Sequence, residues 1–75
     1  MLDDVINFDI IKETPTYKSL EKNVMQQNFL RLRNTRKVIT NALLIYKTTG
    51  QIKSDIGRYN FMVLKDLIAL EEQKN

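Results

Sequence analysis

The chain has 75 residues, a net charge of +3, and neither cysteine nor histidine. Those two absences exclude disulfides, thiolate or imidazole metal sites, and every Cys–His or Ser–His catalytic pair. A chain this short sits near the lower limit for burying an adequate core unaided, so a companion chain becomes the expected source of extra buried area.

The opening Met1-Leu2-Asp3-Asp4 has no basic leader, and apolar runs such as Phe61–Leu64 are far too short to span a membrane. The expectation is a soluble, cytoplasmic protein with one small domain over residues 1–75. Within residues 1–13, Leu2, Val5, Ile6 and Ile10 fit a helical stripe, while Ile6, Phe8 and Ile10 alternate as a strand would. No second strand is evident. This segment therefore reads as an arm or short helix laid over the main body.

Thr14-Pro15 is a helix start: proline at the first helical position loses no hydrogen bond, and the preceding threonine can cap an exposed amide. From there Met25, Phe29, Leu32, Arg36, Ile39, Leu43 and Tyr46 follow steps of four and three, the spacing of a coiled-coil-like seam. Tyr17, Leu20, Val24, Val38, Ala42 and Ile45 widen the apolar arc on one side. The spacing predicts one helix over residues 15–49, with a break near Asn34 as the alternative, because Asn and Thr are poor helix formers. Gly50 closes the helix, with Lys47 in its last turn.

Ser54 or Asp55 is the expected cap of a second helix over residues 54–73, whose stripe is Ile56, Tyr59, Val63, Leu67 and Leu70. The short Gly50–Lys53 connection makes the two helices antiparallel neighbours. The predicted fold is thus all-α, a helical hairpin with one long arm, completed as a bundle by self-association. Val24, Met25, Phe29, Leu32 and Ile39 are the candidate self-association residues, because the second helix is too short to cover all of them.

Charge is unevenly placed. Residues 1–17 sum to −3, residues 18–47 to +6, and residues 48–75 balance. Arg31, Arg33, Arg36 and Lys37 are the candidate contacts for an acidic protein partner or for nucleic acid phosphates. A solvated face, or pairing with Asp3-Asp4 of a second copy, explains the same pattern. A helix-turn-helix pattern through Ile52, Ile56, Gly57 and Val63 places Arg58, Asn60 and Lys65 as further contacts. The three tyrosines fall on apolar stripes and read as anchors.

No phosphate loop, metal-ligand spacing or catalytic pair is present, so no catalytic residue, cofactor or metal ligand is assigned. The expected function is that of a small non-enzymatic, dimeric interaction protein: a regulator, inhibitor, adaptor or assembly factor acting on a macromolecule. The alternative is a nucleic-acid-binding regulator of transcription or replication that uses the basic face.

Overall fold

The computed structural model of the protein describes residues 5–73, which hold five α-helices and no strand. These are α1 (Phe8–Lys12), α2 (Pro15–Ser19), α3 (Val24–Arg31), α4 (Arg33–Thr49) and α5 (Arg58–Glu72). The all-α class is as the periodicity predicts. Of the N-terminal segment, residues 1–4, with Leu2 and Asp3-Asp4, lie outside the described residues. Phe8–Lys12 form α1, opened by the Asn7 side chain, which accepts the Asp9 N–H at 2.8 Å.

The single helix expected over residues 15–49 is instead three. Thr14 and Pro15 do start a helix, with the Thr14 hydroxyl accepting the Tyr17 N–H at 3.2 Å. It stops at Ser19, and Asn23 caps α3 by accepting the Gln26 N–H at 3.1 Å. A second break falls at Leu32, whose extended backbone (φ −64°, ψ 140°) separates α3 from α4. Geometry explains it. Leu30 and Ile39 are both fully buried in one cluster, yet nine residues at about 100° each put them on opposite faces of a straight helix. Only a bent path lets both reach the same interior.

That interior draws on every helix. Ile11, Leu20, Leu30, Ile39, Val63 and Leu67 form the larger cluster, and Ala42, Leu64 and Ile68 a smaller one beside it. Phe8 and Tyr17 meet edge to face at 5.6 Å on the margin of the first. The central element is α5, which packs against both α4 and α2. Its Asp66 lies mid-helix and is half-buried. One oxygen accepts the Thr16 N–H at 2.9 Å, satisfying an amide in the first turn of α2 that has no partner within that helix.

The hairpin geometry also departs from expectation. Gly50 ends α4 in the left-handed conformation (φ 78°) as predicted, but residues 51–57 form no helix. Ser54 and Asp55 are not caps: Asp55 pairs with Lys53 at 3.1 Å, which holds its carboxyl below the usual carboxylate range. Ile56 enters the smaller apolar cluster, and α5 starts only after Gly57. The extended connection carries the chain back along α4, so the two helices meet at their C-terminal ends. There the Tyr46 hydroxyl donates to Glu72 Oε2 at 2.6 Å, and Lys47 pairs with Glu71 at 3.3 Å. An antiparallel hairpin would set the end of α4 beside the start of α5 instead.

The Glu72 hydrogen bond, then partial desolvation and the nearby charge, raise the Tyr46 pKa above the ordinary tyrosine value of 10.0. A raised acid is stabilising in its protonated form. This contact is therefore complete below pH 10.0 and is lost as pH climbs through the higher folded-state value. Phenolate absorbance, read as the difference between the wild type and Tyr46→Phe, should titrate late, and Glu72→Gln should move it back. Indifference to Glu72→Gln would remove the contact from solution.

Candidate interaction surface

Helix α3 is turned inside out relative to an ordinary surface helix. Its one buried residue is Leu30, flanked by the half-buried amides Gln26 and Gln27. Val24, Met25 and Phe29 face outward, and Leu32 continues their row, with exposures of 61%, 72%, 49% and 51%. Around the helix these positions and Asn28 share an arc of about 140°, centred opposite Leu30. Met25, Asn28, Phe29 and Leu32 line a shallow hollow of about 160 Å³. Four of the five residues expected to serve self-association thus lie together on one ridge.

Ile39 is the correction. It is fully buried within the chain's own core, so it has no surface to offer a companion. The four-and-three spacing placed it on the Met25–Phe29 face, and the bend at Leu32 takes it off.

The four candidate cations are likewise divided. The Arg31 guanidinium lies 4.9 Å over the Phe8 ring, a cation–π contact that ties α3 to α1. Arg36 is a structural group. It donates from Nη1 to the Ile6 carbonyl at 3.0 Å and from Nε to the Arg31 carbonyl at 3.1 Å. One turn on, the Thr40 hydroxyl accepts the Ile6 N–H at 2.8 Å, so two side chains of α4 strap the N-terminal arm. Arg33 and Lys37 are exposed on the outward side of α4 together with Asn41. No carboxylate occurs in the sequence between Glu21 and Asp55, although α5 brings Glu71 to Lys47 at the far end of α4.

A second concavity has no counterpart in the linear patterns. Ile10 of α1, Pro15 of α2 and Leu70 of α5 floor a groove of about 280 Å³, rimmed by Asp9, Glu13 and Asp66. Ile10 and Leu70 are 44% and 48% exposed. Leu70 was expected on the buried stripe of its helix, but α5 tips it outward beside α1. Three separate elements build this site, so no spacing in the sequence could signal it.

The helix-turn-helix pattern is not built. Its first segment would need residues 51–57 to be helical, and they are not. Asn60 Nδ2 donates back to the Ile56 carbonyl at 2.9 Å, while Arg58 and Lys65 lie over the Tyr59 and Phe61 rings at 5.6 and 5.5 Å. Among the described residues no helix is long and apolar enough to cross a membrane. Comparison of the chain with protein-family models, with curated proteins and with solved structures returns no match.

Proposed function

We propose that the protein is a small non-enzymatic interaction module that binds a macromolecular partner through the outward face of α3. The observation carrying this is the inverted helix: Val24, Met25, Phe29 and Leu32 stand in solvent around the single buried Leu30. Contiguous exposed apolar patches of this kind mark protein contacts. A cytoplasmic regulator, inhibitor, adaptor or assembly factor fits such a surface, and self-association is one way of using it.

The chain has no cysteine, so Asn28→Cys gives one attachment point for a photo-crosslinker in the middle of the ridge. Illumination in the native host should yield an adduct of defined mass that Phe29→Glu abolishes. No adduct, or one indifferent to Phe29→Glu, would defeat the proposal. A nucleic-acid role rests on a different observation, the exposed Arg33, Lys37 and Asn41 of α4 in a stretch of sequence with a net positive charge. Gel shifts across a salt series test it: the affinity should fall steeply with salt and further with Arg33→Ala and Lys37→Ala. No binding to duplex or single strand at low salt would end it.

A further inference from the structure

We infer that the α3 ridge of one copy seats in the groove between α1, α2 and α5 of another. This rests on the α3 face being a binding surface, and it names both the occupant and the receiving site.

Chemical fit comes first. The ridge is apolar, belongs to a helix with Lys22 just before it and Arg31 in its last turn, and lies in the stretch between Glu21 and Asp55 that has no carboxylate. The groove presents the opposite arrangement. Its floor is Ile10, Pro15 and Leu70, and three of its seven lining residues, Asp9, Glu13 and Asp66, are carboxylates, with no cation among them. Asp9 and Glu13 hold Lys12 and Lys18 at 3.6 and 3.5 Å, but all four side chains are largely exposed. Such pairs are worth little and exchange easily for new ones. Asp66 commits one oxygen to the Thr16 N–H and so cannot swing away from the rim.

Size comes second. A dry apolar cavity of about 150 Å³ accommodates a benzene molecule. The groove, at about 280 Å³, takes the Phe29 ring with an aliphatic neighbour such as Met25 or Leu32. It falls just under the range of about 300–1,000 Å³ typical of small-molecule pockets.

Ridge-on-ridge packing is the competing arrangement between copies. It would bring together two copies of the same surface, each with Arg31 in the last turn of its helix, and like-charge juxtaposition of that kind opposes binding. Ridge-in-groove packing replaces this repulsion by attraction. Because the two surfaces differ, the contact is heterologous unless two copies engage reciprocally about a two-fold axis.

Two benign surface variants test this. Phe29→Glu spoils the ridge, and Leu70→Lys spoils the groove while adding a cation in the last turn of α5, where the helix favours one. Circular dichroism should show both folded. In sedimentation runs over a concentration series, the full-length wild type should associate. Each variant alone should raise the dissociation constant at least about thirtyfold, as expected on losing an interface anchor. Mixed together, the two variants should form a one-to-one heterodimer, because Leu70→Lys retains a ridge and Phe29→Glu retains a groove. Three results would overturn the inference: a monomeric wild type throughout, normal association of Leu70→Lys, or no heterodimer in the mixture. The first leaves the ridge as a site for a different protein, which the crosslinking at position 28 then reports on independently.

Discussion

Ile39→Ala is expected to destabilise the protein by about 2–5 kcal/mol, the cost of removing a large aliphatic side chain from a closed core. Ile39 is fully buried in the cluster that joins all five helices. At about 0.05–0.15 kcal/mol per residue, a 75-residue domain has roughly 4–11 kcal/mol in total. The loss is therefore a large fraction of the whole, and a substantial unfolded population is expected without denaturant. Phe29→Ala supplies the contrast. Its ring is 49% exposed and belongs to neither apolar cluster, so the expected change is within about 0.5 kcal/mol. Urea unfolding of dilute samples, where self-association adds nothing, should separate the two midpoints widely. Similar midpoints would mean that Ile39 is not in the core.

Gly57→Ala is expected to cost about 1–3 kcal/mol. The reason is conformational, since Gly57 has φ 98° and ψ 149°, a region that is essentially restricted to glycine. Crowding contributes nothing: an added Cβ would find only Asn60 Nδ2, at an ordinary contact distance of 3.7 Å. Gly57 is also where the extended connection turns into α5, so the penalty is felt by the helix that completes the core. A chemically synthesised chain with D-alanine at position 57 separates the two explanations. The D-residue prefers positive φ and should restore stability; a loss equal to that of L-alanine would argue against a conformational cause. If L-alanine proves harmless, the turn before α5 is not as described.

What the sequence could convey varied with the range of the interaction involved. Thr14-Pro15 and Gly50 were legible because caps depend on immediate neighbours, and the apolar residues of α5 from Val63 to Ile68 were legible because they repeat at helical spacing. The break after Ser19 was not, and the one at Leu32 was marked only as the alternative of a break near Asn34, two residues on. Met25, Phe29 and Leu32 keep a regular row with Ile39, but the residues that reach the interior are Leu20, Leu30 and Ile39. Two apolar rows compete in that stretch, and only the remainder of the fold decides between them. Asn23 was an overlooked local signal, since its side chain does cap α3.

The surface shows the same division. Val24, Met25, Phe29 and Leu32 could be picked as surplus apolar residues, whereas the role of Arg36 depends on the Ile6 carbonyl thirty residues away. The acid-rimmed groove joins residues as distant as Asp9 and Leu70. Separations of that size leave no trace in a local pattern.

The late position of α5 has a consequence for how the molecule comes into being. Val63, Leu64, Leu67 and Ile68 are four of the nine buried apolar side chains among the described residues, and they follow the other five in a chain that is made from its beginning. Until they emerge, Ile11, Leu20, Leu30 and Ile39 have nothing to close over them, and the first turn of α2 lacks the carboxylate that anchors it. Assembly on this plan is nearly all-or-none and comes late. A nascent chain interrupted before residue 63 would leave the synthesis machinery as a sticky, strongly cationic thread, fit for a chaperone or a protease and for little else.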